Sequence, residues 1–119
     1  MLGVILFAHG SRDPLWRQPI EAVAERIRAS APQVPVRCAY LELTEPDLPT
    51  VAAELAALGI TSLSVVPLFL GVGRHARDDL PQLVQMLRVR HPTMAFSLKP
   101  SIGEDPQIID TIAQIALRT

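Results

Sequence analysis

Two imidazoles and one carboxylate, His9, His75 and Glu42, stand at equivalent places along this sequence. His9 closes the apolar run Gly3 to Ala8, Glu42 follows the run Val36 to Leu41, and His75 comes shortly after the run Leu63 to Phe69. Such runs read as buried parallel strands, so each polar residue falls at or just beyond a strand's carboxyl end. That edge is where open parallel α/β sheets bind their ligands. The mixed nitrogen and oxygen donor set suits a divalent first-row transition metal held with coordination positions left open.

A lone histidine at a strand end is more often a hydrogen-bonded structural group than a ligand, so the surroundings decide. Those of His9 are Ala8-His9-Gly10-Ser11-Arg12-Asp13-Pro14. Gly10 permits a sharp turn, and the next three residues put polar groups at the mouth of a pocket. Glu42 has a simpler competing account as a solvated loop carboxylate, like Glu45 and Asp47 nearby. Its place after a strand expected to abut the first favours the metal. His75 follows Gly71 and Gly73, which let its loop bend towards the same edge. Arg12, Arg74 and Arg77, with Ser11, read as a substrate-binding rim, because guanidinium grips carboxylates in a bidentate way. Asp13, Asp78 and Asp79 offset part of that charge. His91 precedes Pro92 at a helix end, where the helix dipole accounts for it, and it is not counted as a ligand.

Other chemistries fit less well. Gly71-Val72-Gly73 lacks both a following Gly-Lys-Ser/Thr and the third glycine of a dinucleotide fingerprint. Histidine phosphatases open with Arg-His-Gly at a strand end, but Ala8 stands where the phosphate-holding arginine would be. No Gly-x-Ser-x-Gly nucleophile elbow surrounds Ser11.

The elements that must position these residues alternate along the chain. Strands are expected over Gly3 to Ala8, Val36 to Leu41, Leu63 to Leu68 and Met94 to Leu98. The first helix is expected from Leu15 to Ser30, with Ile20, Val23, Ala24 and Ile27 at helical spacing. The second opens at Thr44-Glu45-Pro46-Asp47, buries Leu48, Val51, Leu55 and Leu58, and stops at Gly59. Asp78 or Asp79 is expected to start the third, with Leu80, Leu83, Val84 and Leu87 inward. The fourth begins near Asp105-Pro106 and carries Ile108, Ile112 and Ile115. Apolar strands alternating with helices predict an α/β, flavodoxin-like, doubly wound three-layer sandwich with a four-stranded parallel sheet of order 2-1-3-4. Adjacent strands lie about 4.8 Å apart, so the ends of strands 2, 1 and 3 can converge on one ion.

Composition narrows the partners. The chain has 119 residues, a length for one domain over residues 1–119. A net charge of -1 argues against a phosphate-backbone binder, and 4% aromatic residues argue against a base-stacking surface. Of the 11 basic residues only Lys99 is a lysine. The one cysteine, Cys38, has no internal disulfide partner and reads as a small buried hydrophobe. Met1 leads straight into a strand, with no signal-peptide pattern, and no apolar run approaches the ~20 residues of a membrane span. A soluble, cytoplasmic protein is expected, with neither nucleic acid nor membrane as partner.

Taken together, Ala8-His9-Gly10-Ser11-Arg12-Asp13-Pro14, Tyr40-Leu41-Glu42, and Val66-Pro67-Leu68-Phe69-Leu70 with Gly73-Arg74-His75 resemble the short, single-domain sirohydrochlorin cobaltochelatases of the class II chelatase family. The resemblance covers essentially the whole chain. It implies ATP-independent insertion of a divalent metal, cobalt first, into sirohydrochlorin or a related tetrapyrrole, as in cobalamin biosynthesis. The family's metal-site histidines match His9 and His75, and its acidic partner matches Glu42. The metal is then substrate, with no permanent cofactor. A homodimer is also implied, because larger members build their cleft from two similar domains. The His-rich tail of some short members is not matched by Leu117-Arg118-Thr119. Two readings stay open beside it: an iron or nickel chelatase, and a metal or tetrapyrrole carrier without turnover.

Overall fold

Short apolar runs bounded by proline, glycine or polar residues pair here as parallel strands. The computed structural model describes the backbone of residues 1–119 and every side chain except that of His75. The strands are β1 (Leu2–Ala8), β2 (Val36–Tyr40), β3 (Ser62–Pro67) and β4 (Ala95–Leu98), and the helices are α1 (Gln18–Ser30), α2 (Leu48–Ala57), α3 (Arg74–Arg90) and α4 (Pro106–Ala116). A 3-10 turn, Ile102–Glu104, precedes α4. The sheet order is β2-β1-β3-β4, all parallel, as the strand and helix alternation predicts. Its order reverses between β1 and β3, so the carboxyl ends of β1, β2 and β3 form the edge at which sheets of this kind bind ligands.

Two cores fill the faces of the sheet. On one, Ile5 and Phe7 of β1 and Leu63 and Val65 of β3 pack under Leu48, Val51 and Leu55 of α2 and Leu80, Val84 and Leu87 of α3. On the other, Leu6 and Val36 pack with Ala24 of α1, flanked by Val4, Ile20, Ile27, Cys38 and Val66. Burial raises the pKa of the Cys38 thiol above its ordinary value, which keeps it a protonated, unreactive group at neutral pH. Asp47 caps α2, its carboxylate accepting from the Thr50 N–H at 2.9 Å. Hydrogen bonding from Thr50, its side chain first and then its backbone N–H, holds the carboxyl below its ordinary pKa. Among the described residues, no helix is long and apolar enough to cross a membrane.

All four helices differ from expectation; in the second, Leu58, expected to be buried, is the C-cap after Ala57 and is 54% exposed, because the helix ends before its side chain can turn inward. The first starts at Gln18, not Leu15, because Pro19 lacks an N–H and its ring crowds the carbonyl four residues back, so the first turn is its favoured place. Residues before it are held in turns, with the Leu15 N–H on Asp13 Oδ1 at 2.9 Å. Within α1, Val23 remains 43% exposed and Ala24 takes the fully buried place. α3 starts at Arg74 rather than at Asp78 or Asp79: Gly73 is its N-cap, and the helix runs through Pro81. Proline is favoured in a first turn, which points a sequence reading to the later start; here the helix tolerates the lost backbone bond in its interior. The fourth helix forms where expected but buries none of its residues.

Candidate metal centre

Hydrogen bonding between β1 and β2 continues past the strands themselves. The Leu41 N–H donates to Ala8 O at 2.9 Å and the Glu42 N–H to His9 O at 3.0 Å. These bonds set His9 and Glu42 side by side at the carboxyl edge. Beyond them the two chains part. Gly10 turns away with φ +106°, and Leu43 takes φ 68°, a left-handed conformation that is rare for a branched residue. The Glu42 loop closes at once, because the Tyr40 N–H donates to Pro46 O at 2.9 Å. Glu42 is thus fixed at the tip of a short excursion between Tyr40 and Asp47, with local strain of the kind that gathers at functional sites.

The side chains meet as the backbone dictates. His9 Nε2 lies 3.2 Å from Glu42 Oε1, with both side chains about half exposed, 53% and 55%. His9 Nδ1 lies 3.2 Å from Gly10 O. In the tautomer that donates Nδ1–H to that carbonyl, the Nε2 lone pair faces the carboxylate. Two acceptors at that separation need a cation between them, either a proton or a metal ion. Ligands about 2.1 Å from one ion, about 100° apart, sit roughly 3.2 Å from each other. The pair therefore already has ligand spacing, with the ring orientation fixed by its second nitrogen. Among the described residues no third His, Cys, Asp or Glu completes a cluster. The backbone of His75 lies in the first turn of α3, and its side chain lies outside the described residues.

Beside His9 opens a groove of about 590 Å³. Leu41, Phe69, Leu80, Leu83 and Met86 give it an apolar lining, with Arg74 and Asp79 as its charged residues. Phe69 is held edge-on to the buried Phe7, ring centroids 6.2 Å apart. Such a slot, apolar with a few charged groups, has the character of a small-molecule site. Arg74 lines it; Arg12 and Arg77 are exposed and do not. Ser11 is committed to the turn after β1, where its hydroxyl accepts from the Asp13 N–H at 3.1 Å. His91 caps the far end of α3, its ring 6.3 Å from Phe96.

Sequence reasoning missed the apolar lining. Leu80 and Leu83 were expected to face the core, and both also line the groove, while Met86 is 50% exposed. A usable signal exists: apolar positions 80, 83, 84, 86 and 87 span more of the helix than one buried stripe requires.

Comparison with known proteins identifies the family and the fold. The CbiX family model matches residues 3–119. The chain is 32% identical to a sirohydrochlorin cobaltochelatase of Methanosarcina acetivorans, over 93% of this chain and 91% of that one. It is 35% identical to the same enzyme of Methanothermobacter thermautotrophicus, where the match covers 70% of this chain and 57% of the relative. Among solved structures, a CbiX protein of Marinobacter aquaeolei superposes with a TM-score of 0.83 at 33% identity, over 98% of this chain and 94% of that one. The cobalt complex of the sirohydrochlorin chelatase SirB from Bacillus subtilis superposes with a TM-score of 0.80 at 27% identity, over 95% of this chain but 48% of SirB.

Proposed function

The chain belongs to the CbiX family, and on that premise we propose that it inserts a divalent metal, cobalt(II) first, into sirohydrochlorin or a closely related tetrapyrrole without ATP. The observation that carries this reading is the His9–Glu42 pair, 3.2 Å apart at the sheet's carboxyl edge and bordering an apolar groove. Relatives of matching fold are named as chelatases of sirohydrochlorin, one of them solved with cobalt.

Insertion makes three physical demands. The ion must be held while leaving positions open; His9 through Nε2, Glu42, and His75 as the second imidazole supply three ligands and no more. The macrocycle must lie flat beside the ion; the apolar slot between Phe69 and the α3 side chains Leu80, Leu83 and Met86 receives its face, and Arg74 grips a peripheral carboxylate. Two pyrrole N–H protons must leave as the metal enters, so charge is conserved when one dication replaces two protons. Glu42 and the histidines, freed as the ion moves to the ring nitrogens, are the bases that accept them. Ser11, Arg12 and Arg77 belong to the outer rim of this reading, reached by substituents that extend past the groove.

In this reading residues 1–119 form one catalytic unit, a second copy completes the cleft, and the compartment is the cytoplasm. What supports the dimer reading is that the chain matches 48% of SirB, a protein of the same fold. Iron is the competing metal, since a Bacillus subtilis relative 31% identical to this chain is named a sirohydrochlorin ferrochelatase, and imidazole with carboxylate does not by itself discriminate between the two.

Anaerobic incubation with sirohydrochlorin and Co(II), Fe(II) or Ni(II) in turn, followed by visible absorbance with uncatalysed insertion subtracted, tests the proposal. Many turnovers per chain identify a chelatase, and the fastest metal names its product. A single stoichiometric change would instead identify a carrier.

A further inference from the structure

Glu42 sits on a loop whose own backbone holds it only at the ends. Leu41 N–H on Ala8 O and Glu42 N–H on His9 O fasten its start, and Tyr40 N–H on Pro46 O closes it. Among the described residues, Leu43, Thr44 and Glu45 make no backbone hydrogen bond in between. Leu43, next to Glu42, is held at φ 68°, a conformation that costs energy in any residue with a Cβ. Leu41, Glu42, Leu43 and Glu45 are all exposed. Packing behind the loop does not supply the restraint either. A hollow of about 450 Å³ opens there, lined by Arg17, Glu21 and Arg28 from the side of α1 and by Tyr40, Glu45 and Pro46 from the strand and loop.

One side chain links the two sides. Arg17 is the N-cap residue of α1, where its side chain makes no capping bond. Its Nη1 instead donates to Thr44 Oγ1 at 3.2 Å. Glu21, one turn further along α1, places Oε1 3.2 Å from Arg17 Nε and steadies the guanidinium. Among the described residues, Arg17 and His9 are the two side chains from outside the loop that bond to it. Arg17 also ends the segment that follows His9. Turns with Trp16 N–H on Asp13 O at 3.1 Å and Gln18 N–H on Leu15 O at 3.3 Å shape that segment, and the Trp16 ring lies 6.1 Å from that of Tyr40. The Arg17–Thr44 bond therefore ties the loop that carries His9 to the loop that carries Glu42.

We propose that Arg17 and Thr44 are positioning residues for the metal site: their bond keeps the Glu42 carboxylate at ligand distance from His9 before the ion arrives. The proposal rests on the chelatase reading above for what Glu42 does, and on the loop geometry for how Glu42 is placed. The physical cause is preorganisation. Apparent affinity falls in proportion to the fraction of molecules whose site is competent to bind. With the bond made, the loop stays in the strained arrangement that presents Glu42. Without it, Leu43 relaxes to negative φ and the carboxylate leaves His9 Nε2. Neither Arg17 nor Thr44 touches the ion. The net contribution of one hydrogen bond corresponds to about three- to tenfold in an equilibrium constant, which sets the size of the effect.

Calorimetric titration of the full-length protein with Co(II) tests it, with the melting temperature as the control on the fold. Thr44→Val is expected to weaken Co(II) binding about three- to tenfold at a nearly unchanged melting temperature. Thr44→Ser keeps the hydroxyl and should bind as the unaltered chain does. Arg17→Ala should weaken binding by a similar factor, although removal of a positive charge near a cation site would by itself tighten it. The double variant should be no weaker than either single one, because both changes break the same bond. Undiminished cobalt binding in Thr44→Val and Arg17→Ala, beside a His9→Ala variant that loses it, would overturn the positioning role and leave the metal site standing. Undiminished binding in His9→Ala would remove the site itself. A Thr44→Ser variant as weak as Thr44→Val would also overturn the proposal, since the hydroxyl would then not be what places Glu42.

Discussion

Gly10 lies directly against the carbonyl of Glu42: a Cβ on Gly10 would sit 1.7 Å from that oxygen, and the residue's φ is +106°. The turn that releases the chain after His9 and the backbone that presents Glu42 are therefore one packed unit. Gly10→Ala meets both a disfavoured φ and a backbone overlap that no side chain can relieve. A loss of roughly 2–4 kcal/mol is expected, read by urea denaturation, together with weakened metal binding as Glu42 is pushed from His9. An alanine variant of unaltered stability and metal affinity would show that the contact is not kept in solution.

His9→Ala and Glu42→Gln separate the proposed metal site from the fold. Both side chains are about half exposed, 53% and 55%, so their removal is expected to leave the melting temperature nearly unchanged. Partners one shell out from a metal cost 10–100-fold in affinity when removed, so loss of a direct ligand should cost about 100-fold or more in Co(II) affinity by calorimetric titration. His75→Ala belongs in the same series as the proposed second imidazole. Unaltered cobalt binding in His9→Ala would end the assignment.

Arg74 differs from Arg12 and Arg77 in lining the groove. A charge-assisted hydrogen bond contributes about 1.5–3 kcal/mol, so Arg74→Ala should raise KM for the tetrapyrrole about 10-fold or more and change kcat little. Arg12→Ala and Arg77→Ala should each shift KM by less than about threefold. Equal effects from all three would mean that the substrate's carboxylates are held by the outer rim and not by the groove.

Tyr40 is the one tyrosine of the chain, so phenolate absorbance reports it alone. Burial, helped by the neighbouring Cys38 and Glu21, pushes its hydroxyl from the ordinary 10 up to about 12. The folded pKa is raised, so the stabilisation from the protonated phenol is full below about pH 10 and is lost as pH rises towards 12. A spectrophotometric titration of the folded protein is expected to show almost no phenolate at pH 10. A midpoint near 10 before any loss of circular dichroism would contradict the buried placement beside Trp16, 6.1 Å away.

Much of the molecule was legible in the sequence because backbone pairing and solvent exclusion leave regular marks. Apolar runs of strand length, alternating with helical spacing, leave parallel crossover topologies and a single ligand-binding edge, so the order 2-1-3-4 and the location of His9 and Glu42 at that edge could be read directly. What the sequence could not carry was the partner of each surface. Leu83 and Met86 show only that α3 is broadly apolar; the fold makes that side a groove wall rather than core. Pro81 marks a helix start by local preference, and only packing beneath α3 decides that the helix begins at Arg74 and runs through it. The Ile108–Ile115 stripe dictates that one face of α4 be buried, yet periodicity is a property of one element and contact a property of two. The tertiary structure leaves that face bare, with Ile109, Ile112 and Ile115 53%, 44% and 50% exposed.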